Sequence, residues 1–522
     1  MTLTYPEVDG PSDAELINKV RGLGDDEKRV LGRLKKQLTQ ARKANRNKYA
    51  YYETRQVVEQ LDIAIPPQLR DTLVICGWPE TVVDVLDERI DLLGWATADG
   101  NDRGLSEIAE DNNLSVEASR TTNDSLIAGV SFATVGTGDE DEGEPPVLIT
   151  GESPNSATVT WDYRKRRADA GLSETRNERN QLVMQSLYLP DRTILFAADP
   201  DNGGKMEVVS IDEHNLGRTL MTRLLTKDRA SNVNGRSEIT RAVRYYTDAA
   251  IRTMLGMEVN REFYTTPMRA MLDVDPTTLG FREDMSDLEK ARLGWKLMMG
   301  HINIVPPQGD PNTPLQQPKP SIHQFDPAPP SPYVEQIKAY SIMLSGQTGM
   351  PPEMFGFVTD NPTSGDAILK GEYRLVRRAE RRIMSYSPSW KEVALLSMLC
   401  RDKKRADRLS LDDLRQVRPL WRNPAIPTRA AQADEAQKLI AAKVLPPNSE
   451  VTYKRLDIDE QDQLILERDW RKQEAKEQAQ MAREQANQVS AAVAVTKAKA
   501  EATPAPTSGA PGRPNIGGGP SS

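Results

Sequence analysis

Four groups of residues have the types that support chemistry, and each falls short of the pattern that would do it. Gly203-Gly204-Lys205 has the glycines and lysine of a phosphate-cradling loop, but Met206 stands where Ser or Thr would bind magnesium, and a further upstream glycine is missing. It reads as a turn. Gly129-Val130-Ser131-Phe132-Ala133 begins like the sharp bend that exposes a nucleophilic serine, yet the closing glycine is absent and no histidine is placed as its base. Asp273-Val274-Asp275 opens like a calcium loop and fails at Thr278, where the tight bend requires glycine. His214, His301 and His323 are scattered without partners at ligand spacing, and Cys76 and Cys400 are too far apart for a CxxC pair. These residues predict no metal, no cofactor and no catalysis; an enzyme whose site forms only in space stays open as a rival.

Cationic helices are the more informative signal. Between Ser12 and Gln60 apolar residues recur at helical spacing (Leu31, Leu34, Leu38), interleaved with Arg33, Lys35, Lys36, Arg42, Lys43, Arg46 and Lys48 and followed by Tyr49, Tyr51 and Tyr52. Basic residues next to aromatics fit a nucleic-acid stripe, but a solvated face ending in a packing cluster is the favoured reading. Across Arg236 to Arg261, Ile239, Val243, Tyr246, Ala250, Met254 and Met257 form one stripe, with Arg241, Arg244, Asp248 and Arg252 opposite. Such a strut suits either an ordinary surface helix or the wall of an aqueous passage. A second long helix opens after Asn361-Pro362-Thr363-Ser364-Gly365, with Leu369, Tyr373, Val376, Ala379, Ile383 and Tyr386 as its apolar stripe. Lys370, Arg374, Arg377, Arg378, Arg381 and Arg382 crowd the remainder, a surface for acidic partners: a neighbouring subunit or phosphates.

The chain that must position these helices has 522 residues, with 68 Lys plus Arg against 76 Asp plus Glu and a net charge of −8. That excludes a histone-like coat, and the length suggests roughly two to four domains. No run approaches a membrane span, the first residues lack a basic-then-apolar leader, and two cysteines fit a reducing compartment, so neither secretion nor membrane insertion is expected.

The organisation reads as α+β, mainly α. Helix is expected up to Ala128, with Val82 to Leu93 inside it. Short β-like runs follow at Val130–Val135, Val147–Thr150, Ala157–Trp161, Leu182–Leu189 and Arg192–Ala197, with Asp139–Glu144 and Arg164–Arg167 as charged turns. The proline-rich stretch from His301 to Pro332 predicts extended, irregular chain with few ladder bonds. Helices then run over Tyr333–Gly346 and Asp366–Cys400, the latter kinked near Pro388, and beyond Pro427 up to Ala502, before a disordered tail.

Gly346-Gln-Thr-Gly-Met-Pro-Pro-Glu-Met-Phe-Gly-Phe357, then Asn361-Pro-Thr-Ser-Gly-Asp-Ala-Ile368 feeding the Arg-rich helix with Glu372 and Glu380, resembles the portal proteins, the head-to-tail connectors of tailed double-stranded-DNA phages. Asn232–Thr240 with Tyr246-Thr-Asp248 resembles the entry into that family's stem helix, and Trp78–Trp95 and Gly129–Val135 its wing. The resemblance runs through most of the chain by order of elements. It implies a helical part of the wing over 1–128, its β-rich part over 129–235, a stem helix over 236–262, a clip over 263–332 and a second stem helix over 333–348. A tunnel loop over 349–365, a kinked wing helix and following segment over 366–426, crown helices over 427–502 and a disordered tail over 503–522 complete it.

By the same resemblance, about twelve copies form a ring at one capsid vertex, assembled in the host cytoplasm, through which the genome is packaged and ejected. The implied partners are the terminase large subunit, a head-tail adaptor, the major capsid and scaffolding proteins, other copies of the chain and double-stranded DNA, with no membrane. Arg241, Arg244 and Arg252 are then expected at the channel or a subunit seam, and Phe357, Thr359, Asp360 and Asn361 of the tunnel loop near the DNA. The other rival is a helical adaptor that binds nucleic acid through its amino-terminal basic helix.

Overall fold

The computed structural model describes residues 23–56 and 74–501, except 99, 140, 142, 200–204, 266–268, 275–276, 278–279, 281, 283, 291, 294–301, 306–320, 325–328, 357–364, 404–415, 426–428, 457 and 459. Two compact units divide the chain after Ala425. In the first, helices α1 (Asp25–Tyr52) and α2 (Trp78–Asp87) precede strand β1 (Leu92–Thr97), followed by α3 (Leu105–Asp111) and α4 (Leu114–Ala128). Strands β2 (Val130–Thr137), β3 (Val147–Glu152), β4 (Ala157–Asp162), β5 (Arg167–Arg176), β6 (Leu182–Tyr188), β7 (Thr193–Asp199), β8 (Lys205–Asp212) and β9 (Met221–Leu225) form the β-rich section. Helix α5 (Arg241–Thr265), strands β10 (Arg269–Leu272), β11 (Ile302–Val305) and β12 (Ser321–Gln324), and helices α6 (Ser331–Thr348) and α7 (Gly365–Asp402) lead to β13 (Val417–Trp421). The second unit holds α8 (Arg429–Ala441), α9 (Glu450–Arg455) and the 42-residue α10 (Glu460–Glu501).

Helix α1 starts where Asp25, Asp26 and Glu27 complement its positive end, and the Glu27 carboxylate accepts from the Gly24 N–H at 2.9 Å. Its Leu31, Leu34 and Leu38 are buried with Leu172, Leu187, Ile194 and Phe196, so the helix lies across the five-stranded meander β4-β5-β6-β7-β8. Arg42 fastens the edge, donating to Glu174 at 2.5 Å and to the Asn155 carbonyl at 2.6 Å. The three tyrosines that end the helix are packing residues with polar tips. Tyr49 donates to Asp124 of α4 at 2.6 Å, Tyr51 to Asp248 of α5 at 2.8 Å, and Tyr52 to Asp84 of α2 at 2.9 Å. Burial first, and the neighbouring carboxylates after it, push all three phenols up, Tyr52 to about 12.

A three-stranded antiparallel sheet, β3-β2-β9, packs on α4 and α7 and carries the larger core, which includes Leu126, Val135, Ile149, Leu224, Tyr386 and Trp390. Two expectations are corrected and one is filled in. The apolar run at Leu92 and Leu93 is a strand, not helix: β1 pairs antiparallel with β13, from the far end of the same unit. The few ladder bonds expected of the proline-rich stretch are those of β11 and β12, which pair parallel and antiparallel with β10 in a small sheet. Of the apolar stripe expected on α7, Ala379 and Tyr386 are fully buried, but Tyr373 is 64% exposed, and Leu375 and Trp390 are buried instead. The amino-terminal 22 residues and the expected disordered tail lie outside the described residues.

One carboxylate on α2 is poorly accommodated. Asp87 is half-buried, its Oδ1 has no hydrogen-bond partner, and burial pushes its pKa to about 7 over the opposing hydrogen bond from Asn123, with the charges of Asp84, Asp91 and Glu88 adding to the rise. The folded state therefore binds a proton that the unfolded chain has lost between about pH 4 and 7, and stability falls as pH rises through that window. Asp87→Asn is expected to raise stability by about 1–2 kcal/mol at pH 8 and to leave it unchanged at pH 4. Denaturant titrations at the two pH values check this.

Among the described residues no helix is long and apolar enough to cross a membrane, and no group of three His, Cys, Asp or Glu is placed to hold a metal ion. Cys76 and Cys400 are buried and free, and burial pushes their thiols up to about 11 and 12.

Candidate functional site

The segment that leads into α5 is where the most distant parts of the first unit meet. Helix α4 ends at Gly129 (φ 99°), whose carbonyl accepts from the Thr226 N–H at 3.0 Å; Thr226 in turn accepts from the Arg236 N–H at 2.7 Å. Gly235 (φ 77°) passes so close to this crossing that a Cβ there would land on the Gly129 carbonyl oxygen. Both glycines are needed: their φ values lie in the left-handed region, and a Cβ at Gly129 would sit 2.9 Å from the backbone of Arg236 and Ser237. After the crossing the chain is irregular through Ser237, and Thr240 caps α5, accepting from the Val243 N–H at 3.4 Å. The helix therefore begins at Arg241, after the Arg236 at which the spacing placed it.

Glu238, in this lead-in, is 1% exposed, and three cations converge on it. Arg378 donates to its Oε2 at 2.5 Å, Arg382 to Oε1 at 3.0 Å, and Lys227 forms a third ion pair with Oε2. Burial raises the carboxyl's pKa, but Arg378, Lys227 and Arg382 outweigh it and hold the group at about 2. Arg378 also donates to the Thr348 carbonyl, and Arg374 to that of Gly346 at 3.3 Å. The basic face of α7 thus covers the carbonyl end of α6, where cations are electrostatically favoured. Of the arginines expected on a surface for acidic partners, Arg374, Arg378 and Arg382 are used inside the chain, and Arg377 pairs with Glu380. Next to this cluster, Tyr386 is fully buried, and its hydroxyl joins Thr226 and Ser125 in a hydroxyl chain. The short turn after α6 is braced by Phe355, whose ring meets Trp78 edge-on at 6.2 Å.

The three expected channel arginines separate. Arg241 and Arg244 lie at the start of α5 beside Lys48 and Arg236, where they line one cleft of about 330 Å³. Arg244 also sits 5.8 Å from the Tyr51 ring. Arg252, two turns on, is exposed and senses Asp248 at longer range. Phe357, Thr359, Asp360 and Asn361 lie outside the described residues. Sequence reasoning did not single out Glu238 or Lys227; a lone Glu before a helix carries no signal of an arginine partner 140 residues away, nor a Lys in a loop of that Glu.

Residues 31–490 match the family model described as phage portal protein, SPP1 Gp6-like. The chain belongs to that family of phage structural proteins. Two relatives, each described as a portal protein, come from mycobacterial phages. That of Mycobacterium phage D29 is 28% identical over 402 residues, covering 76% of this chain and 78% of the relative. That of Mycobacterium phage L5 is 27% identical over 400 residues, covering 75% and 77%. A solved structure described as the neck of a native GTA particle computed with C12 symmetry shares 13% identity at a TM-score of 0.37, over 73% of this chain and 89% of the other.

Proposed function

We propose that copies of this chain close into a ring of about twelve subunits at one capsid vertex, a channel through which double-stranded DNA is packaged and later ejected. The observation that carries this reading is the family match from residue 31 to 490, together with two portal-protein relatives that cover three quarters of the chain. In this reading α5 and α6 are the stem, the small sheet β10–β12 belongs to the clip, and the second unit is the crown. The terminase large subunit and a head-tail adaptor dock on the outer end, and the major capsid and scaffolding proteins surround the wing.

Two physical features support it. Val334, Ile342 and Met343 of α6 and Tyr373 and Met384 of α7 are large apolar side chains exposed by 48–72%, which suits seams between adjacent copies. A net charge of −8 with sparse exposed cations such as Arg252 suits a conduit, because many simultaneous phosphate contacts would hold the polyanion in place rather than let it slide. Negative-stain imaging of the purified chain, with scaffold supplied, is expected to show annular particles with a hole wider than a DNA duplex. Ile342→Asp with Met343→Asp is expected to leave folded monomers, since charges at a packed seam are desolvated without partners. Wild-type material that stays monomeric at high concentration overturns the reading.

A further inference from the structure

The cleft at the start of α5 is built for an anion, and its charges are not balanced by its own walls. Ten residues line it, among them Lys48, Arg236, Arg241 and Arg244, and none is Asp or Glu. Arg236 and Arg241 are exposed, and their guanidinium groups make no hydrogen bond or ion pair among the described residues. The Arg244 Nε is buried with no hydrogen-bond partner, which is costly for a donor unless something arrives to accept from it. The nearest compensating charge on the same helix is Asp248, one turn on, which already accepts from Tyr51. Lys48 donates to the Ala128 carbonyl at 2.5 Å and to Asn45 Oδ1 at 2.9 Å, which leaves one of its three N–H groups. Burial, and after it the charge of Arg244, bring this ammonium down to about 8.

We propose that this cleft binds a phosphate-type oxyanion, with the Arg236, Arg241 and Arg244 guanidinium groups and the free N–H of Lys48 as its donors. Several planar guanidinium groups along one cleft match the acceptor oxygens of a tetrahedral anion better than they match a single carboxylate. At about 330 Å³ the cleft also has the size of a small-ligand site. Ser237 and Thr240 add hydroxyls at the wall, and the positive end of α5 lies alongside. The same chemistry is offered by inorganic phosphate and by the phosphodiester of DNA. The inference goes beyond the ring reading and does not depend on ring closure, because the binding site lies within one copy.

Titration calorimetry of the full chain with inorganic phosphate, at constant ionic strength against chloride and acetate, tests it. The expected result is saturable phosphate binding, no comparable acetate binding, and proton uptake near pH 8 as the bound anion raises the Lys48 pKa. Arg236→Gln with Arg241→Gln removes two exposed, unpartnered groups without disturbing the core, and is expected to weaken phosphate at least about tenfold and to suppress the proton uptake. Competition by a short DNA duplex assigns the site to phosphodiesters; failure of the duplex to compete assigns it to free phosphate, and either outcome agrees with the proposal. Absence of binding, equal binding of acetate, or an unchanged affinity in the double variant overturns it. Imaging of the same samples reports ring formation separately, so loss of rings and loss of anion binding are told apart.

Discussion

Glu238→Gln is expected to lower stability by about 3–5 kcal/mol or to prevent folding, because it removes the one anion from a fully buried site shared by Lys227, Arg378 and Arg382. A neutral amide still accepts one hydrogen bond, yet it leaves three partly buried cations facing one another. The pH dependence has a definite sign. The carboxyl's pKa is held at about 2 in the folded protein, below its ordinary value of 4.5, so its contribution is fully present above about pH 4.5 and is lost as pH falls toward 2. Urea denaturation of wild type and variant at pH 7, followed by wild type down to pH 3, checks both statements. A loss below about 1 kcal/mol would mean that water reaches the cluster and the cations are solvated. The consequence reaches past stability, since Glu238 leads into α5 while Arg378 and Arg382 belong to α7, and Arg378 also holds the last turn of α6. Loosening this joint weakens the hold of α7 on the start of α5 and the end of α6.

The second large effect is expected at a residue with no side chain. Gly235→Ala would place its Cβ on the Gly129 carbonyl oxygen, a backbone atom fixed by the Thr226 N–H, and would do so at a φ of 77°. Neither chain can retreat without giving up the Arg236–Thr226 and Glu238–Leu126 backbone bonds that follow the crossing. A cost of about 2–4 kcal/mol is expected from contact and backbone strain together. Thermal unfolding of the alanine variant tests it; Gly346→Ala, on α6 with nothing near its Cβ, is the control and should be neutral or slightly stabilising. A shift equal to the control's would show that the crossing opens easily.

How much of this could be read beforehand follows from the range of each interaction. The strut at α5 was legible because Val243 and Ala250, both buried, recur at the helical period, a local property. Its first residue was not, because the left-handed Gly235 and the Thr240 cap set it, and nothing in the composition of Arg236–Ile239 separates that lead-in from helix. Likewise Leu92-Leu93 is apolar enough for either element, and a partner strand at Val417–Trp421 decides the matter. The arginines of α7 were visible as a basic face, but which of them meet solvent depends on a glutamate in another element. Tyr49, Tyr51 and Tyr52 were readable as a packing cluster, whereas the three aspartates that receive their hydroxyls come from three separate helices. Ser321–Gln324 shows no alternation, so its pairing with Arg269–Leu272 left no trace in pattern.

The β1–β13 ribbon bears on how this chain is made. Its early strand leaves the ribosome with both edges unpaired and waits for Val417–Trp421, which emerges only when nearly the whole first unit has been synthesised. Until then Leu92–Thr97 is an open template, and Trp95, whose indole donates to the Trp390 carbonyl, has nowhere to dock. Translation that stops short of Val417 should therefore give sticky, chaperone-bound fragments rather than a smaller soluble protein, which ties competence for assembly to completion of the polypeptide.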